Sequence, residues 1–120
     1  MSKKILVVDD DPVQQKHICN LLSEVDATLI LAANGQQGVD KARQEMPDLI
    51  LMDVVMPEVD GFAACRQITT APETKEIPVV IVSSKNQEAD KVWAQLQGAK
   101  AMISKPFADQ DLLKQVNQFL

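Results

Sequence analysis

Five short apolar runs, at 5–8, 28–33, 49–52, 79–82 and 101–104, punctuate this chain, and helix-like segments separate them. The runs show no polar alternation, which is the pattern of strands covered on both faces. Strands that alternate with helices join through right-handed crossovers into a parallel sheet. The expected class is therefore α/β. Such a sheet binds ligands outside the carboxyl ends of its strands. The 120 residues suit one core, and little room is left for a linker, a repeat or a second domain.

Local signals place the helices. Asp11 reads as an N-cap, with Pro12 at the first helical position. Ile18, Leu21, Leu22 and Val25 follow at helical spacing. Asn34-Gly35 marks a turn before a helix over 36–45 that Pro47 ends. Asp60-Gly61 opens a third helix running to about residue 70, and Pro78 introduces the fourth strand. Ala89, Val92, Trp93 and Leu96 form an i, i+3, i+4, i+7 stripe that predicts a core-facing side, with Gly98 as the cap beyond it. The last helix carries Leu112, Leu113, Val116, Phe119 and Leu120.

Charged groups close these runs. Asp9 and Asp10 follow the first, Asp53 the third and Lys105 the fifth, while Ser83 follows the fourth. A carboxylate at the end of a buried strand is costly unless it is needed there. Parallel strands bring all of these side chains to one edge of one sheet. Three carboxylates beside one ammonium suit a divalent cation and a transferred phosphoryl group. Crowded carboxylates repel, so at least one pKa is expected to rise without metal, and metal affinity to fall as pH drops.

The net charge of −5, from 17 acids and 12 bases, argues against nucleic acid and against an anionic membrane surface. No apolar run approaches the roughly 20 residues of a membrane span. Met1-Ser2-Lys3-Lys4 precedes too few apolar residues for a signal peptide. The expected location is the cytoplasm. Cys19 and Cys65 lack metal-ligand spacing and read as free buried thiols. His17, on the edge of the first helix's apolar side, is expected to serve packing or the surface, away from the acids.

Five pieces now stand in order along essentially the whole chain. They are Val7-Val8-Asp9-Asp10-Asp11, Leu51-Met52-Asp53-Val54-Val55-Met56-Pro57, Asp60-Gly61, Val82-Ser83-Ser84-Lys85 and Lys105-Pro106-Phe107. Together they resemble the receiver domain of bacterial response regulators. The resemblance implies one receiver domain over 1–120, a doubly wound (βα)5 flavodoxin-like three-layer sandwich with strand order 2-1-3-4-5. It implies a phosphoacceptor rather than an enzyme, with Asp53 phosphorylated by a histidine kinase in the presence of Mg²⁺. Asp10 and Asp53 would ligate the ion directly, Asp9 partly through a water, and the Val55 carbonyl would complete the protein ligands. Lys105, before a cis Pro106, would pair with Asp53 and then with a phosphoryl oxygen. Ser83 would donate its hydroxyl to another, with Ser84 as the neighbour able to exchange roles with it.

The chain departs from the family pattern in places. Met102 stands where receivers usually carry a switching aromatic, and the chain has no tyrosine. A thioether can repack behind a moving Ser83 but cannot lock either state, so weaker coupling to the output face is expected. Val55 and Lys85 flank the route of an attacking water and are expected to set the phosphate lifetime. The expected output is a protein effector on the surface of helix four, strand five and helix five, because no output domain follows Leu120. A phosphate sink for a shared kinase is the alternative, and a longer chain would allow a downstream effector.

The segment 83–93, with Gln97-Gly98-Ala99 after it, resembles stand-alone receivers of the chemotaxis-like system that controls type IV pili and twitching. Two other classes fit less well. Phosphatases with an aspartyl nucleophile use a second acid two residues on, where this chain has Val55. A nucleotide-binding flavodoxin-like module needs a Gly-rich loop after the first strand, where Asp9-Asp10-Asp11-Pro12 would repel phosphate.

Overall fold

The computed structural model describes residues 3–54, 61–84 and 87–120. Its elements run β1 (Lys3–Val8), α1 (Pro12–Leu22), β2 (Ala27–Ala32), α2 (Gly35–Glu45), β3 (Leu49–Met52), α3 (Gly61–Thr70), β4 (Val79–Ser83), α4 (Glu88–Leu96), β5 (Ala101–Ser104) and α5 (Asp109–Phe119). All strand pairs are parallel, in the order β2-β1-β3-β4-β5. The alternation and the resemblance both lead to this architecture.

The missing polar alternation has a direct cause. Ile5, Val7, Leu49, Leu51, Val80 and Val82 pack under α1 and α5. Leu6, Val8, Ile50, Met52, Val79 and Ile81 point the other way, under α2, α3 and α4. Both faces are covered, so every second residue is as apolar as its neighbours.

Two helix ends differ from the sequence expectation. α1 stops at Leu22, where the Ser23 N–H and hydroxyl both donate to the Asn20 carbonyl, at 3.3 and 2.7 Å. Val25 therefore packs on the core from beyond the helix. Asn34 is the N-cap of α2 rather than part of a free turn. Its side chain accepts the Gln37 N–H at 2.8 Å, and Gly35 is the first helical residue.

The fourth helix overturns the largest expectation. Val92, Trp93 and Leu96 are 53%, 51% and 63% exposed, and Ala94 is the buried residue of α4. The cause lies at the helix's far end. The Gln97 carbonyl accepts from Thr69 Oγ1 at 2.7 Å and from Cys65 Sγ at 3.4 Å, both on α3. Gly98 then takes φ +92° beside Thr69, a conformation that disfavours any side chain. These ties rotate α4 so that 94 and 97 face inward and 92 and 96 face solvent. Trp93 lies across the Phe62 ring at 6.5 Å, edge to face.

Candidate functional site

The last register pair between β1 and β3 is Val8 with Met52. Asp9 and Asp53 are the next residues on each strand, and the Asp53 N–H donates to the Val8 carbonyl at 3.0 Å. This is where strand order reverses, because β2 lies on one side of β1 and β3 on the other. The strands open there into a cleft. One carboxylate oxygen each from Asp9, Asp10 and Asp53 lies within 4.8 Å of the others. Oxygens about 2.1 Å from an octahedral magnesium ion lie roughly 3.0 Å apart when adjacent and 4.2 Å when opposite, so three oxygens this close can share one ion once they draw inward or one of them binds through a water.

Lys105 supplies the counter-charge. Its Nζ donates to Asp9 Oδ2 at 3.2 Å and lies 3.6 Å from Asp53 Oδ2. The sequence placed it against Asp53; it bridges both acids and stands nearer Asp9. The Lys105–Pro106 peptide is cis. Asp9 is engaged at both oxygens, since Oδ1 accepts the Asp11 N–H at 3.0 Å. Asp10 is exposed and Asp53 is part-buried. Three carboxylates and one ammonium leave two net negative charges, which a divalent cation cancels.

Ser83 ends β4 and is fully buried. Its carbonyl accepts the Lys105 N–H at 2.9 Å, while Ser84 lines the open cleft. Met102 pairs in register with Ile81 and packs on the core from a half-buried position. Val55 and Lys85, expected as a ligand and as flanking side chains, lie outside the described residues, as does Asp60. Cys65 is buried, which pushes its thiol up to about 12; Cys19 is only part-buried.

The acid whose pKa rises is Asp9, but crowding is not the main reason. Burial raises it most, and repulsion from Asp53 contributes least, against the lowering pull of the Asp11 N–H and Lys105. Stability lent by such a group is present below its ordinary pKa and is lost as pH climbs through the raised one. Above that raised pKa, ionised Asp9 burdens the metal-free fold. Asp9→Asn is expected to raise the thermal midpoint by a few degrees in chelator, while magnesium affinity falls about tenfold. Thermal melts with and without Mg²⁺ would show the two effects. A lower midpoint in chelator would contradict the assignment. Magnesium affinity of the wild type should also fall as pH drops through the raised Asp9 pKa.

His17 has the packing and surface duty expected of it, but its place in the cleft wall was not foreseen. It lines the same cleft of about 680 Å³ as Asp10, Asp53 and Lys105, with Gln14 and Phe107 beside it. Its ring lies 5.8 Å from that of Phe107, and Nε2 is 3.9 Å from Asp109. α1 begins immediately after the acids, so its first two turns form a wall of the cleft. The Asp11 cap was the available signal: it fixes where α1 starts and hence which early residues flank Asp10.

A family model for the response regulator receiver domain matches residues 5–117. The chain belongs to the receiver family. This receiver is 46% identical over 117 residues to Protein PilH of Pseudomonas aeruginosa, covering 98% of this chain and 97% of PilH. It is 33% identical to the alkaline phosphatase synthesis transcriptional regulatory protein PhoP of Bacillus subtilis, but spans only 49% of that protein. The receiver domain of the sensor histidine kinase PA1611 from P. aeruginosa, with magnesium coordinated in its active-site cleft, superposes with a TM-score of 0.90. That match has 28% identity and covers 99% of this chain and 98% of the other. The chemotaxis protein CheY4 of Vibrio cholerae gives a TM-score of 0.92 at 26% identity, with both chains covered in full. No helix among the described residues is long and apolar enough to cross a membrane.

Proposed function

We propose that this receiver, a single domain over 1–120, is a phosphorylation switch whose acceptor is Asp53. A histidine kinase is the donor. The Asp53 carboxylate attacks phosphorus in line, an O–P bond forms, and the P–N bond to the donor imidazole breaks. Little covalent help is needed; placement and charge neutralisation carry the step. Asp10 and Asp53 would hold Mg²⁺ directly, and Asp9, already bonded at both oxygens, would act through water. The ion, when bound, offsets the negative charge of the phosphoryl oxygens. Lys105 turns from the Asp9–Asp53 bridge to one phosphoryl oxygen. Ser83 swings out of its buried position to donate to another, and Met102 fills the space behind it.

The observation that carries this reading is the convergence of Asp9, Asp10 and Asp53 within 4.8 Å, with Lys105 across two of them. The magnesium in the cleft of the PA1611 receiver supports the choice of ion. The output is a protein contact on α4, β5 and α5 in the cytoplasm, with no nucleic acid bound. The exposed Val92, Trp93 and Leu96 favour that contact over a phosphate sink, because a sink needs no apolar docking face. The 46% identity with PilH and the segment 83–93 support control of type IV pilus twitching motility.

The test is incubation with a small phosphodonor and Mg²⁺, read by intact mass. The wild type is expected to gain one phosphoryl group and Asp53→Asn none. Uptake by Asp53→Asn at the wild-type level would remove Asp53 from the mechanism.

A further inference from the structure

We propose that Gln15 is a positioning residue for the cation site, acting through the backbone of Asp9 and Asp10. This rests on the metal reading above.

Gln15 is the fourth residue of α1, and its N–H closes the first turn on the Asp11 carbonyl at 3.0 Å. Its side-chain Nε2 sits among three backbone carbonyls: Ala32 at 3.0 Å, Asp9 at 3.4 Å and Val7 at 3.5 Å. Carbonyls only accept, so the amide must present its NH₂ to them. Its two hydrogens cannot serve three acceptors equally. The Ala32 carbonyl is the nearest of the three.

The β1–β2 ladder reaches Val8 and Ala32 and stops there. The Ala32 carbonyl accepts the Asp9 N–H at 3.1 Å and the Gln15 amide as well. Asp9 is thus held at both ends of its backbone, its N–H by Ala32 and its carbonyl by Gln15. The Asp9 carbonyl belongs to the peptide plane that carries Asp10. Asp10 has an exposed side chain, so its aim depends on that plane. Gln15 is not among the residues lining the cleft, whereas Gln14 and His17 are. It acts from behind the site, as residues that orient metal ligands commonly do.

Gln15→Ala leaves a good helix former at a half-buried position and removes the donor from all three carbonyls. Magnesium titration by calorimetry, without phosphodonor, is expected to show about a tenfold rise in dissociation constant. Gln15→Arg, which restores N–H donors, is expected to recover most of it. Amide shifts of Asp9 and Asp10 should move in the alanine variant and return in the arginine variant. Thr74→Val serves as control: it removes a buried bond to the Ile68 carbonyl and should lower stability with magnesium affinity unchanged. Gln15→Ala within twofold of the wild type, or an equal loss in Thr74→Val, overturns the inference while the metal site stands. A wild type that binds no magnesium overturns the metal site and this inference together.

Discussion

Gly61→Ala is expected to melt roughly 10 °C below the wild type and to lose most magnesium binding at the same time. A β-carbon at Gly61 would overlap the Asp53 carbonyl oxygen and lie 2.5 Å from the Val54 Cα. Both obstacles are backbone, so no flexible side chain can move aside. Gly61 is locked in place by its N–H, which donates to the Val54 carbonyl at 3.2 Å. The added methyl must push the Asp53–Val54 segment away from α3. Overpacking usually costs about 1–3 kcal/mol, and the rigid neighbours here favour the upper end. The displaced residue is the proposed acceptor, so stability and metal affinity should fall together. Thermal melts and magnesium titration would check this; an unshifted midpoint would mean that the α3 approach is looser than described.

Lys105→Ala is expected to separate two properties that Gly61→Ala damages together. The ammonium lies within reach of Asp9 and Asp53 and repels an incoming dication. Its removal should leave magnesium affinity equal or tighter. Phosphoryl uptake from a small donor should nevertheless slow about a hundredfold, the usual scale for losing one pre-set charge partner of a transferring group. In chelator the variant should also melt earlier, since Asp9, Asp10 and Asp53 would face one another without a cation. Rates from intact mass and a parallel magnesium titration would separate these effects. Wild-type uptake would remove Lys105 from the chemistry.

Much of this was legible in the chain because burial is expensive for charge. Asp9, Asp10, Asp53 and Lys105 stand out against the apolar runs that they close, and parallel pairing brings all four to one edge without further information. β3 and β5 were readable to the residue, β3 as a pure apolar run and β5 as a short run ending in Ser104 just before Lys105. The rotation of α4 was not readable. Its stripe has helical periodicity, but which side faces inward is set by Cys65 and Thr69 on α3, far away in sequence. The shared cleft around His17 was hidden for a similar reason: periodicity ranks the faces of α1 but does not reveal that the β5–α5 loop brings Phe107 against one of them. Burial as the chief cause of the raised Asp9 pKa also needed three dimensions, because a sequence shows neighbouring charges and conceals depth.

Trp93 is the single tryptophan of the chain, half-exposed on α4 against Phe62. Intrinsic fluorescence excited at the indole band therefore reports one place. Emission wavelength and iodide quenching would follow that helix alone, unlabelled, while chemistry proceeds at the strand ends.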